Sequence, residues 1–238
     1  MDDLPTTVWV LLLAAALGIP TVTSVVLYRG AVATGLGRRS ATGVAVAFAA
    51  GWGSWLLATG YLAGAAVYSG RGNPWFFVAV AGALVAPLLA TRIPVVARIL
   101  ADPGTPARLA LPHTLRVIGV VFLILMTLGH LPAVFAVPAG LGDIAIGIAA
   151  PIVYRRLARG TGHRAAVRFN ILGILDLLVA AGIATLVTSG LLDVTPSTEP
   201  LRLLPLALVP TAAVPLAVAL HIVSLRQLHT AAAAPSVT

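Results

Sequence analysis

The sequence predicts an all-α integral membrane protein with seven transmembrane helices, on the strength of three observations. Of its 238 residues, 59% are hydrophobic and only 9% are charged, whereas a soluble domain carries roughly 25% charged residues. Seven apolar runs reach about the 20 residues that cross the hydrocarbon core of a bilayer. Arginine is concentrated in alternate connections between these runs. One compact domain with its surface in lipid is therefore expected.

The predicted spans are separated by short polar or turn-forming segments. The first follows the acidic stretch MDDLPTT and is longer than the apolar core of a signal peptide, so we interpret it as a retained helix. The third begins with the aromatic run WFF, which is typical of a membrane interface. The fourth and fifth are joined by the charge-free segment LPAVFAVPAG. The seven predicted spans are residues 7–28, 42–68, 75–97, 114–134, 136–155, 166–189 and 202–225.

The direction of the spans is predicted from the arginines. The loops after the first, third and fifth spans are rich in arginine, whereas those after the second, fourth and sixth contain few or none. Because arginine-rich loops stay in the cytoplasm, the N-terminus is predicted outside and the C-terminus in the cytoplasm. In this count Arg116 lies at the cytoplasmic start of the fourth span. We predict a single transmembrane domain over residues 1–228 and a disordered cytoplasmic tail over residues 229–238.

A weak internal repeat is also predicted. Spans 1–3 and 5–7 share direction, and FAAGWGSWLLATG in the second span aligns with FNILGILDLLVAAG in the sixth. This alignment pairs Gly51 with Gly173 and Ser54 with Asp176. It predicts a parallel 3+1+3 layout, with the fourth helix as a linker and a site between the halves. In outline the topology resembles that of the SWEET sugar facilitators and the microbial rhodopsins, but a chain without lysine cannot form a retinal Schiff base.

Two of the seven acidic residues, Asp143 and Asp176, fall within the predicted spans. An aspartate at a helix centre costs roughly 2.5–3.5 kcal/mol, which makes it a functional-site hypothesis. At about 100° per residue, Asp143, Asp176, Asn170 and His221 each share a helix face with small residues, and such a face is typically the interior one. We predict a polar path with Asp143 toward the outside, Asp176 near the middle, and Asn170 and His221 toward the inside. Hydrogen-bonded helix packing is the alternative.

Three aromatic residues and one histidine are further candidates for gating or substrate contact. Trp52 and Trp55 lie deep in the second span, where they can stack on a substrate or pack in the core. His130 is at the outer end of the fourth span, and Tyr154 lies on the interior face of the fifth. His113 falls at or beyond the predicted cytoplasmic boundary and is expected to be solvated.

Residues 140–143 read GLGD and resemble the GxGD signature of intramembrane aspartyl proteases of the presenilin and signal-peptide-peptidase class. The resemblance implies a catalytic pair, Asp143 and Asp176, on adjacent helices. Three features differ from that class: the order of the two motifs, LD in place of YD at residues 175–176, and the lack of a following PAL. The helix register also predicts that the two aspartates differ in depth by roughly 8 Å, at about 1.5 Å per residue.

The sequence favours a small multi-pass membrane transporter or permease, proton-coupled through the Asp/Asn/His path, over an enzyme. The alternatives are the GxGD-like protease and a non-catalytic scaffold or sensor subunit. No metal and no cofactor are expected, because the chain lacks cysteine and close His/acid spacing. The expected partners are the lipid bilayer and a small-molecule or ion substrate, without nucleic acid; a homo-oligomer and a larger membrane complex stay open. The lysine-free, alanine- and arginine-rich composition favours a bacterial plasma membrane.

Overall fold

The computed structural model describes residues 4–233 as helices joined by short connections. The α-helices are α1 (Thr6–Ala33), α2 (Arg38–Gly64), α3 (Pro74–Ala90), α4 (Pro94–Leu100), α5 (Thr105–Ala110), α6 (Val120–Thr127), α7 (Ala133–Ala158), α8 (His163–Ser189) and α9 (Val214–Ala233). Tighter 3₁₀ turns occupy Leu111–Gly119 and Glu199–Arg202, and a wider π-helical turn occupies Val209–Ala213. Helix α9 continues past residue 228; residues 234–238 lie outside the described residues, and the disordered tail stays a prediction.

Within residues 4–233, six helical segments are long and apolar enough to cross a membrane. Helices α3 and α4 make a seventh if they are counted together as one bent span. The prediction of an all-helical chain with several potential membrane spans is thereby confirmed. The direction of the spans in a bilayer and the internal repeat stay predictions. The six segments are α1, α2, Thr105–Thr127, α7, α8 and Val209–Thr230.

The third span differs from its prediction. We expected one helix over residues 75–97, but α3 ends at Ala90 and a separate helix begins at Pro94. Proline disfavours the helical conformation of the residue before it, and Ile93 is accordingly extended, with a ψ of 127°. The predicted helix over residues 75–97 is therefore interrupted, because the chain bends by 82° between α3 and α4.

The fourth span begins and ends earlier than residues 114–134. Its helical segment starts at Thr105, with Pro106 in the first turn, where the missing N–H of proline costs nothing. It ends at Thr127, and Gly129 reverses the chain with a φ of +76°. Arg116 is therefore the central residue of Thr105–Thr127. Placing Arg116 at the cytoplasmic start of this span was wrong, because the polar residues before it belong to the helix.

The seventh span also begins later than its prediction of residues 202–225. A short 3₁₀ turn, Glu199–Arg202, is followed by an irregular stretch, and the membrane-length helix begins only at Val209. Three prolines, at positions 200, 205 and 210, interrupt regular helix over this part of the chain. His221 consequently lies near the middle of the last helical segment.

The fourth span is packed between α1, α7 and α9. Its 3₁₀ segment lies very close to α7. A Cβ added at Gly147 would be only 2.5 Å from the backbone nitrogen of Val117. On the α1 side, a Cβ at Gly18 would lie 2.7 Å from a methyl group of Leu115. Glycine permits this close packing between apolar helices. The residues of the 3₁₀ segment are thereby enclosed within the bundle.

Contacts between connections define two ends of the bundle. At the arginine-rich end, Nη2 of Arg98 donates a hydrogen bond to the carbonyl of Thr34 at 2.8 Å. At the opposite end, Nη1 of Arg202 donates to the carbonyl of Gly70 at 2.5 Å, and the carboxylate of Glu199 accepts from the N–H of Gly70 at 3.1 Å. The arginine-rich end comprises the connections 34–37, 101–104 and 159–162.

Candidate functional site

A buried arginine joins two carboxylates in the middle of the bundle. The side chain of Arg116 is 3% exposed. Its Nε donates to Oδ1 of Asp143 at 2.6 Å, and its Nη2 donates to Oδ2 of Asp176. Its Nη1 lies 3.2 Å from Nε2 of His221. We use the name Arg116 cluster for this group and its immediate polar neighbours, which are His113, Arg116, Asp143, Asn170, Asp176, His221 and Ser224.

The charged residues of the cluster come from the middles of different helices. Arg116 is central in Thr105–Thr127 and Asp176 is central in α8. The expected depth difference between Asp143 and Asp176 was wrong, because both carboxylates contact the same guanidinium. Helix α7 begins at Ala133, almost one turn before the predicted start, which places Asp143 deeper in the bundle than expected.

Hydrogen bonds assign the tautomer of His221. Nδ2 of Asn170 donates to the carbonyl of Ala166 at 2.9 Å and to Oγ of Ser224 at 3.0 Å. Because a carbonyl only accepts, this amide orientation is fixed, and Oδ1 of Asn170 faces Nδ1 of His221 at 2.9 Å. Nδ1 must then carry the hydrogen, and Nε2 is free to accept from Arg116. His221 therefore connects the guanidinium to the Asn170–Ser224 pair.

The ring of His113 lies on the face of the His221 ring. The two imidazole rings are stacked, with centroids 3.7 Å apart and planes at 15°. His113 is 1% exposed, and neither of its ring nitrogens has a hydrogen-bond partner within residues 4–233. The prediction that His113 is solvated was wrong, because the helix begins at Thr105. In a 3₁₀ helix, residues three apart share a face, and so His113 and Arg116 point into the same interior.

Glycines on neighbouring helices make room for the cluster. A Cβ at Gly119 would overlap the side chain of Asp143, and one at Gly142 would overlap the carboxylate of Asp176. A Cβ at Gly173 would overlap the ring of His221. Each polar side chain thus occupies the space that a glycine leaves open, which holds the carboxylates and the imidazole in position.

Two small cavities adjoin the carboxylates. They measure about 40 and 60 Å³, and Asp143 lines both. Asp176 lines the larger one, whose other walls are apolar. These walls include Phe135 and Leu201, toward the end of the bundle opposite the arginine-rich end. A cavity needs roughly 10–15 Å³ to hold a water molecule, and so water fits beside both carboxylates.

The remaining predicted residues lie outside the cluster. Trp52 is buried and stacks on Phe48 with ring centroids 6.0 Å apart, and Nε1 of Trp55 donates to the carbonyl of Thr211 at 2.9 Å. Tyr154 packs partly buried in an apolar cluster near the arginine-rich end. His130 is half-buried in the turn that follows α6. Within residues 4–230, none of these four side chains is hydrogen-bonded to the cluster, and their gating or substrate roles stay predictions.

The chain matches a protein-family model. The family described as Domain of unknown function (DUF8737) matches residues 73–229, which is more than half of the chain. The chain belongs to this family. The matched range of the DUF8737 family contains every residue of the Arg116 cluster and leaves out α1 and α2. Comparison with curated proteins and with solved structures gave no significant match.

Within the DUF8737 range, Asn170 offers a direct test of the hydrogen-bond network. Asn170→Leu removes the acceptor of the His221 Nδ1–H and leaves this buried donor unpaired. We expect the free energy of unfolding to fall by about 1–3 kcal/mol. Ser224→Ala removes one partner of Asn170 only, and we expect a smaller loss of about 0.5–1.5 kcal/mol. Thermal unfolding in detergent measures both, and an Asn170→Leu variant as stable as wild type would contradict the network.

Proposed function

We propose that the protein is a proton-coupled membrane transporter and that the Arg116 cluster is its proton-binding site. The observation that carries the proposal is one buried guanidinium between two carboxylates, at the middle of the helices. With both carboxylates ionised, the charges of Arg116, Asp143 and Asp176 sum to −1, and one bound proton brings the sum to zero. A low-dielectric interior disfavours net charge, so this set of groups is suited to bind and release one proton.

The neighbouring groups support a path across the bundle. The larger cavity extends from Asp143 and Asp176 toward the end of the bundle opposite the arginine-rich end. In the other direction, His221 and His113 extend the cluster toward the arginine-rich end. Arg116 stands between the carboxylates and His221, because its Nη2 donates to Asp176 and its Nη1 lies 3.2 Å from Nε2 of His221. In this proposal Arg116 positions the carboxylates, and the proton moves between a carboxylate and water in the adjoining cavities.

Orientation and location belong to the same proposal. The arginine-rich end faces the cytoplasm and the opposite end faces outward, as arginine placement favours. The membrane is a bacterial plasma membrane, as supported by the lysine-free composition, and the transported partner is a small molecule or ion. The fourth to seventh spans supply every residue of the Arg116 cluster, so the proposed function does not depend on a 3+1+3 repeat.

Asp176→Asn is expected to abolish proton flux. Asparagine keeps the shape of aspartate and an oxygen for Arg116, but it cannot take up a proton. Purified protein in liposomes that contain a pH-sensitive dye would report acidification under an imposed potential. We expect flux with wild type and background flux with Asp176→Asn. The matched control is Asp193→Asn, which changes an exposed aspartate outside the helices and should retain full flux.

Two results would contradict proton coupling. One is a proton flux into wild-type liposomes that equals the flux into empty liposomes at both signs of the imposed potential. The other is equal flux in wild type and Asp176→Asn, with both proteins folded. Either result favours the scaffold or sensor interpretation, in which the carboxylates and Arg116 stabilise helix packing.

Intramembrane proteolysis is the second candidate function. It is favoured by the convergence of Asp143 and Asp176, from adjacent helices, on one point. One observation weighs against it. The adjoining cavities, of about 40 and 60 Å³, are too small for a peptide. Cleavage of a single-span peptide by wild type, and not by Asp143→Asn, would favour the protease.

A further inference from the structure

A large apolar cavity lies beneath the bend between α3 and α4. It measures about 360 Å³ and is formed by residues of α1, α2, α3, α4, α5 and α9 and of the bend itself. Its volume falls within the range of roughly 300–1,000 Å³ that is usual for ligand pockets. Its lining includes Ile93, which is 51% exposed on the surface of the bundle. The cavity is therefore accessible from the side that a bilayer would cover.

The lining of this cavity is suited to a hydrocarbon chain and not to a polar ligand. Most of it is aliphatic, with the ring of Phe48 from α2. The hydroxyl of Thr23 donates to the carbonyl of Ile19 at 2.8 Å, and the hydroxyl of Thr91 donates to the carbonyl of Leu88 at 2.6 Å. Both hydroxyl hydrogens are thus used within their own helices, and the wall offers no free donor to a sugar or an ion.

A smaller polar cavity continues from the apolar one. It measures about 140 Å³ and is lined by Arg226 and Gln227 of α9. The two cavities share Thr91, Leu100 and Val223 as common walls. Arg226 is exposed and forms no ion pair with any residue in the described part of the chain. A cation with free donors therefore stands at one end of a hydrocarbon-lined space.

From this arrangement we infer that the two cavities form a binding site for an anionic glycerophospholipid. One acyl chain occupies the apolar cavity, and the phosphate of the headgroup contacts Arg226. The position of Arg226 at the arginine-rich end agrees with this occupant, because basic pockets between helices on the cytoplasmic side recognise anionic headgroups. The site is separate from the Arg116 cluster and does not rest on proton transport.

Native mass spectrometry of the delipidated protein tests this site. Phosphatidylglycerol and phosphatidylcholine with identical oleoyl chains are added in turn, and bound lipid is counted. Wild type is expected to prefer phosphatidylglycerol by about fivefold, which corresponds to one arginine near an anionic headgroup. Arg226→Gln should lose this preference. The control Arg155→Gln changes an exposed arginine of α7 at the same end, and it should keep the preference.

A second variant tests the acyl-chain cavity. Ala219 of α9 is 2% exposed and lines the apolar cavity, so Ala219→Leu fills part of it. Binding of both lipids is expected to fall severalfold in this variant. The proposal is overturned by equal binding of the two lipids to wild type, or by equal effects of Arg226→Gln and Arg155→Gln. Unchanged lipid binding by a folded Ala219→Leu variant overturns it as well. Lipid binding is measured by mass and not by proton flux. A negative result for lipid binding therefore does not bear on the proposed proton transport.

Discussion

Replacing Arg116 by methionine is expected to destabilise the folded protein by about 3–5 kcal/mol, the usual cost of removing one partner of a buried ion pair. The side chain of Arg116 is 3% exposed and those of Asp143 and Asp176 are 16% and 17% exposed. Without the guanidinium, two carboxylates face each other in an apolar interior with no counter-charge. The lost attraction and the new repulsion act in the same direction. Loss of the Nη1 donor of Arg116 also leaves Nε2 of His221 without a hydrogen bond.

The matched control removes all three charges. In the variant Arg116→Met, Asp143→Asn, Asp176→Asn, no uncompensated charge stays buried, and most of the lost stability should return. Denaturant unfolding in mixed micelles, followed by circular dichroism, gives the free energies of unfolding for both variants. A triple variant no more stable than Arg116→Met would show that the three charges are not coupled. The interpretation of the cluster would then fail, together with the proposed proton site.

Gly147→Ala is expected to cost at least about 1–3 kcal/mol, the range for overpacking a well-packed interior. The added Cβ would lie 2.5 Å from the nitrogen of Val117 and 3.1 Å from the carbonyl carbon of Arg116. These are backbone atoms, and no side-chain rotation relieves the contact. Helix α7 must move away from the 3₁₀ segment, which displaces Asp143 from Arg116. We therefore expect a loss of proton flux as well as a loss of stability.

Gly51→Ala and Gly182→Ala are the controls for this prediction. Both glycines lie inside long helices, and a Cβ at either position meets no atom within 4 Å. Alanine is the better helix former by up to about 1 kcal/mol, so these variants should be as stable as wild type or more stable. Melting temperatures and proton flux of the three variants are compared directly. If Gly147→Ala behaves like the controls, the close approach of α7 to the fourth span is wrong.

Much of the interior could be predicted from helix periodicity. Asp143, Asp176, Asn170 and His221 each share a face with small residues, and these faces point inward in the structure. The structure brings all four side chains into one hydrogen-bonded group, with Asn170 and His221 bonded directly. Periodicity finds such faces because close helix packing requires small residues. The transport role assigned to these residues stays a prediction.

The sequence does not predict Arg116 and His113 as interior residues, because polar residues beside an apolar run usually indicate the boundary of a span. The apolar run starts after both of them, so hydropathy places Arg116 at the start of the predicted span, residues 114–134, and His113 just before it. Another signal was available. Thr105 followed by Pro106 is typical of a helix start, and a helix that starts there places Arg116 at its middle. Arg116 then becomes the natural counter-charge for two interior aspartates.

The contact of Trp55 could not be predicted from local sequence. Its Nε1 donates to the carbonyl of Thr211, which lies in the π-helical turn Val209–Ala213. A π-helical turn changes the pairing of backbone carbonyls, and nothing in the sequence near Trp55 reports this event 156 residues away. Packing in the core, one of the two interpretations of Trp55, fits this contact.

The central position of Arg116 also has a consequence for synthesis. Asp143 follows Arg116 by 27 residues and Asp176 follows it by 60 residues. At about 5–20 residues per second, the second carboxylate is made roughly 3–12 s after the arginine. Inserted alone, the fourth span would carry an unpaired charge at its centre, at a cost of about 2.5–3.5 kcal/mol. The nascent chain therefore avoids this insertion cost if the fourth span enters the lipid late. The three charges can enter together once α7 and α8 have been synthesised.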